Sequence, residues 1–232
     1  MRTRHTYRIL TVAIVVLLTA GCASAAGPGV QTGPSTATGA SGPDLDQLEQ
    51  LFEARMDSAR LNVSEADVRF MTGMIGHHAQ ALVMARLAPT HGAGPQVRVL
   101  TARIINAQND EIALMQRWLD DRDRPVPEVH IEGTELMVHG PEYAMRMPGM
   151  LTAEQLRELD EARGGEFDRL FLTFMIQHHN GAVTMVHELF ATDGAAQDEA
   201  TFKLASDIQV DQTTEVNRME LMLKELAGGG GR

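Results

Sequence analysis

Two windows of this chain nearly repeat each other: FMTGMIGHHAQALVMA from Phe70 to Ala85, and FLTFMIQHHNGAVTMV from Phe171 to Val186. A shift of 101 positions lays Asp67 on Asp168, Phe70 on Phe171, Met74-Ile75 on Met175-Ile176, His77-His78 on His178-His179, Ala81 on Ala182 and Met84 on Met185. A second set follows at a shift of 104, where Ile104, Gln108, Glu111, Met115 and Leu119 meet Ile208, Gln212, Glu215, Met219 and Leu223. The difference between the two shifts falls inside a loop, so the repeating unit reads as a hairpin of two helices.

Apolar residues in both copies recur at spacings of three and four, the helical period. Ser64 with Asp67, and Thr152 with Gln155, have the form of capping boxes. Pro89, His91-Gly92 and Gly94-Pro95 interrupt the first hairpin, and Asp193-Gly194 interrupts the second. Leu45, Leu48, Leu51, Phe52 and Met56 suggest one more amphipathic helix before the first copy. No segment shows sustained strand alternation. The sequence therefore predicts an all-α four-helix bundle built from two hairpins, about 64–121 and 152–226, within a domain spanning 44–227. The hairpins are joined by a long crossover, Arg122 to Leu151, rich in Pro, Gly and Met, and its length hints at function.

Residues 1–22 read as a secretory signal: Arg2, Arg4 and Arg8, then an apolar run, then Thr19-Ala20-Gly21-Cys22. Cys22 is the only cysteine, and it stands where a lipobox places the lipidated residue, although Thr19 occupies a position where leucine is more usual. Residues 23–43 are mostly Gly, Ala, Ser, Thr and Pro, and such a stretch reads as a flexible tether. Removing the three signal arginines takes the net charge from −11 to −14, which argues against a nucleic-acid partner and against binding to an anionic lipid surface. The expected membrane partner is instead reached through a lipid on Cys22. One cysteine also excludes intramolecular disulfides.

On a helix, His77 and His78 flank the stripe that holds Met74, with the small Ala81 one turn later and Met84 near His77. Met175, His178, His179, Ala182 and Met185 reproduce the pattern. Imidazole and thioether together form a soft donor set that suits copper, Cu(I) above all. The Glu-x-x-His motif of diiron bundles is missing from the chain. An alternative stands beside metal binding. Buried imidazoles need partners, and the four could lock the core as a polar network with Glu111 and Glu215, leaving the protein an interaction module of the cell envelope. Methionines at helical spacing also serve as core filler, Met115 and Met219 among them. Of the connector methionines, Met145, Met147 and Met150 either plug the bundle end or supply thioethers to copper. His187 points away from the stripe, and His130 and His139 stand isolated with no role assigned. No nucleophile–base arrangement suggests an enzyme.

FDRLFLTFMIQHHNGAVTMV, preceded by MPGMLTAEQL, resembles the signature of the domain-of-unknown-function family 305, and the likeness runs from Ser64 to Leu226. That resemblance implies a ferritin-like helical bundle in an exported bacterial protein, with copper held by methionine and histidine in some members. It implies ligand roles for Met74, His77, His78, Met175, His178, His179 and Met185, with Met147 and Met150 from the connector. The first copy has Ala79-Gln80 where the second has Asn180-Gly181, which predicts a weaker first site.

Overall fold

The computed structural model describes residues 44–61, 63–140 and 147–229. The signal segment, Cys22, the tether and Met145 lie outside the described residues. In chain order the elements are α1 (Leu45–Leu61), α2 (Glu65–Ala85), α3 (Pro95–Asp120), β1 (Glu128–Glu132), β2 (Glu135–His139), α4 (Ala153–Glu161), α5 (Gly164–Phe190) and α6 (Glu199–Gly229). The fold is thus mostly helical but not all-α. The connector holds an antiparallel hairpin in which Val129 faces Val138 and His130 faces Met137. Its signal was Val129/Ile131 and Leu136/Val138 alternating about Gly133, whose φ of 60° suits a two-residue turn with glycine first. Two strands alone are marginal in water, and these are supported by packing against α2.

α2 pairs with α3 and α5 with α6, and the two hairpins meet along α2 and α5. Both predicted capping boxes form, at Ser64/Asp67 and at Thr152/Gln155. The second opens the separate short helix α4, however. α5 begins only at Gly164, so the long helix of the second copy starts later than the sequence pattern places it. α1 keeps Leu45, Leu48, Leu51 and Phe52 exposed. Among the described residues, no helix is long and apolar enough to cross a membrane.

The matched aspartates lock each hairpin to the loop of the other. Asp67 on α2 accepts a hydrogen bond at Oδ1 from the Ala196 amide, 2.7 Å away in the α5–α6 loop. Asp168 on α5 accepts from the Gly94 amide, 3.1 Å away in the α2–α3 loop. Burial raises the Asp168 carboxyl above its ordinary value, which the Gly94 amide and Arg98 oppose. Both contacts require α2 and α5 to run antiparallel, with their centres crossing near the histidine doublets. At the start of α6, Asp198 accepts from Trp118 Nε1 and from the Thr201 amide, each at 3.1 Å, and pairs with Arg122. These contacts close the far end of the fold.

Candidate metal centre

All four doublet histidines are fully buried where α2 crosses α5. The His77 and His178 rings stack with centroids 3.8 Å apart and planes inclined by 36°. Their neighbours turn outward to the flanking helices. His78 Nε2 donates to Glu111 Oε2 on α3 at 2.6 Å, and His179 Nε2 donates to Glu215 Oε2 on α6 at 2.7 Å. A carboxylate acceptor fixes the proton on Nε2 and leaves Nδ1 as a lone pair, the arrangement in which a carboxylate behind the ring orients a ligating imidazole. His77 Nε2 likewise donates to the Pro148 carbonyl at 3.0 Å.

Five ring nitrogens remain buried without a hydrogen-bond partner: Nδ1 of His77, His78 and His179, and both nitrogens of His178. Each orphan costs on the order of 1–3 kcal/mol relative to a satisfied group. Burial, with the neighbouring His78, lowers the His77 pKa from 6.5 to about 3, against the opposing hydrogen bond to Pro148. Burial, and then His77, His179 and His78, hold His178 well below its ordinary value. The His77 backbone opposes this slightly, but no hydrogen bond of normal geometry reaches either His178 nitrogen. Both rings are neutral at physiological pH, the state in which imidazole ligates.

The candidate methionines divide into two groups, one on each side of this histidine layer. Met74 and Met185 share a cluster with Met115 and Ala182, against which Met147 packs. Met84 and Met175 share the other with Met219 and Ala81. Antiparallel packing forces the division, because the methionine one turn before the doublet lies on opposite sides in α2 and α5. Met147 and Met185 converge over Gly73, where an added Cβ would stand 3.2 Å from Met147 Sδ and 3.5 Å from Met185 Cε. Met150 is half-buried, and its amide donates to the Met147 carbonyl at 3.4 Å. His187 is exposed and bonds Gln209. Among the described residues no three His, Cys, Asp or Glu side chains converge on a point suited to a metal ion. A site in this layer with three or more protein ligands would therefore draw on the thioethers.

Connector residues 147–151 lie along the α2/α5 seam, and the sequence pattern did not reveal how tightly. Gln80 clamps Leu151 twice, through Nε2 to its carbonyl at 3.1 Å and through Oε1 from its amide at 2.8 Å. Gln177 Nε2 reaches the Gly149 carbonyl at 3.3 Å. A Cβ on Gly181 would collide with the Pro148 carbonyl, and one on Gly149 (φ 79°) would lie 2.6 Å from the Gln177 carbonyl oxygen. The departure of Ala79-Gln80 from Asn180-Gly181 is therefore complementarity to a single connector: Gln80 grips it and Gly181 admits it. Gly73 against Phe174, and Gly76 against Gln177, are mismatches on the same face. A stripe of mismatches within a repeat was the signal that could have found this docking surface.

On the outer side of the layer, α3 and α6 flank a cavity of about 260 Å³ lined by Gln108, Glu111, Asp211, Gln212 and Glu215. Burial, then Glu111, Glu215 and Asp207, raise the Asp211 carboxyl above its ordinary value. Open space thus reaches the carboxylates that orient His78 and His179.

No curated protein matches the chain. Solved structures do. A DUF305 fragment from Deinococcus radiodurans is 30% identical, with a TM-score of 0.58 over 70% of this chain and 98% of that one. A DUF305 protein from Streptomyces coelicolor shares the fold at 24% identity, with a TM-score of 0.59 over 70% of this chain and 94% of that one. CopM in its Cu(I)-bound form is 28% identical, with a TM-score of 0.52 over 68% of this chain and 96% of that one. CopM has also been solved with Cu(II) and with silver. The family model described as "Domain of unknown function (DUF305)" matches residues 67–223, well over half of the chain, and the chain belongs to that family.

Proposed function

We propose that this protein is an extracytoplasmic lipoprotein that sequesters or hands on copper through methionine and histidine ligands, within a ferritin-like four-helix bundle anchored by a lipid on Cys22. It binds cargo and catalyses nothing. The observation that carries this reading is the buried layer of four imidazoles with five unpartnered ring nitrogens, bordered by the thioethers of Met147 and Met185. Such orphans are expensive in a core, and a soft cation offsets them. The donor set fits Cu(I): neutral imidazoles and thioethers, with Glu111 and Glu215 behind the rings to strengthen their basicity. His77 and His178 need lose no proton on loading, because burial already keeps them neutral. The copper-bound and silver-bound forms of CopM support the same reading.

A second reading has its own observation. Three of the four histidines already hydrogen-bond, to Glu111, Glu215 and Pro148, so the layer could serve only as a metal-free polar network in an envelope interaction module. Anaerobic Cu(I) titration against a competing chelator separates the two. In Met147→Leu/Met185→Leu, volume is kept and sulfur is lost. Its Cu(I) affinity is expected to fall by more than about tenfold, with an apo melting temperature close to wild type. Copper should also raise the wild-type melting temperature by mass action. A melting temperature indifferent to copper, with affinity unchanged in the double variant and in His178→Ala, selects the network.

A further inference from the structure

The β1–β2 register assembles a donor set that the buried layer does not use. Alternation sends Glu128, His130 and Glu132 of β1, and Glu135, Met137 and His139 of β2, to the exposed face. His130 stands directly opposite Met137, and Glu128 directly opposite His139. Side chains directly opposite have Cβ atoms about 4.5–5.5 Å apart, and diagonal neighbours such as His130 and His139 sit roughly 7–8 Å apart, within reach of long side chains. Met137 and His139 are alternate residues of one strand and share its face. From this arrangement we infer a second, solvent-facing site on the hairpin, in which His130, Met137 and His139 bind a soft monovalent cation of the Cu(I) class.

Three features of the hairpin support the site. The inner-face residues Val129 and Ile131 pack against the cluster built on α2, so the platform is held by the core. Met137 stands on this outer face with 37% of its surface open to solvent, on a strand whose other apolar residues, Leu136 and Val138, point the other way. The outer face carries three glutamates and neither lysine nor arginine, and Glu132 lies directly opposite Glu135. Like charges placed so repel, and a bound cation relieves them. Two imidazoles and one thioether make a three-coordinate soft set. The site goes beyond the buried layer and is separate from it. Its open position suits capture of an ion from solution, which the buried layer, closed beneath residues 147–151, cannot do as readily.

Silver, a redox-inert stand-in for Cu(I), tests this on the full chain. The Met137 methyl and the ring resonances of His130 and His139 should move with the first equivalents of Ag(I). Met137→Leu/His139→Ala should bind one ion fewer than wild type with a melting temperature close to it, since leucine keeps the methionine volume and His139 is exposed. His178→Ala should keep the hairpin ion. An unmoved Met137 methyl, or wild-type stoichiometry in the hairpin variant, overturns the site and leaves the buried layer standing. Loss of one ion in the hairpin variant with no change in His178→Ala upholds the hairpin and removes the buried layer instead.

Discussion

Gly181→Ala is expected to destabilise the protein by about 3 kcal/mol, the upper end of the usual cost of overpacking. The added methyl would occupy the space of the Pro148 carbonyl, where backbone touches backbone and no side chain can swing aside. Relief requires the segment 147–151 to lift from the α2/α5 seam. Lifting breaks the hydrogen bond from His77 to Pro148 and strains the double clamp of Gln80 on Leu151. It also withdraws Met147 from Gly73, so Cu(I) affinity should fall together with stability. Gly165→Ala is the control, because nothing stands within 4 Å of its added Cβ. Urea denaturation of both variants measures the difference, and hydrogen exchange at residues 147–151 reports whether the segment has lifted. If Gly181→Ala proves as harmless as the control, residues 147–151 do not dock on the α2/α5 seam.

Acidification should weaken the metal-free fold well before the carboxylates titrate. The His77 pKa drops from 6.5 in the unfolded chain to about 3 in the fold, so the unfolded state binds more protons between those values. Stability from this group is complete above pH 6.5 and is lost as pH falls toward 3. At pH 5 the loss from His77 alone is about 2 kcal/mol, since each unit below the unfolded pKa costs about 1.4 kcal/mol. His178 acts in the same direction. Asp168 and Asp211 act in the opposite one, because their carboxyls are raised and the fold takes up protons there, but that window opens lower, in the carboxylate range. Denaturation midpoints at pH 7 and pH 5 should therefore differ clearly. Bound copper should raise both midpoints and leave the gap nearly unchanged, since rings already neutral in the fold release no proton on loading. A midpoint that does not move would show that the doublet rings are not buried as neutral imidazoles.

The helices were legible because helical spacing and capping are local. Ser64/Asp67 and Thr152/Gln155 announced their helix starts, and the Pro and Gly clusters announced the breaks. The burial of His77, His78, His178 and His179 was legible as well, since a matched doublet on an apolar stripe has one direction in which to face. What the sequence concealed depended on chain direction and on the connector. Antiparallel packing of α2 on α5 separates Met74 and Met185 from Met84 and Met175, and no periodicity within one helix reveals that. The hairpin at 128–139 was lost inside a segment that read as Pro-, Gly- and Met-rich, because its alternation spans only two apolar residues per strand. The Ala79-Gln80 departure was legible as a difference but not as its cause, which lies with Pro148, Gly149 and Leu151 far along the chain.

The central claim is that a soft metal ion binds within the α2/α5 histidine layer. Anomalous diffraction from crystals of the protein grown with Cu(I) or Ag(I) locates the ion without inference. The expected result is a peak bonded to a ring nitrogen of the doublets, His178 foremost, and to a methionine sulfur bordering the layer, Met147 or Met185. Metal peaks confined to the surface, with the layer empty at saturating metal, would contradict it.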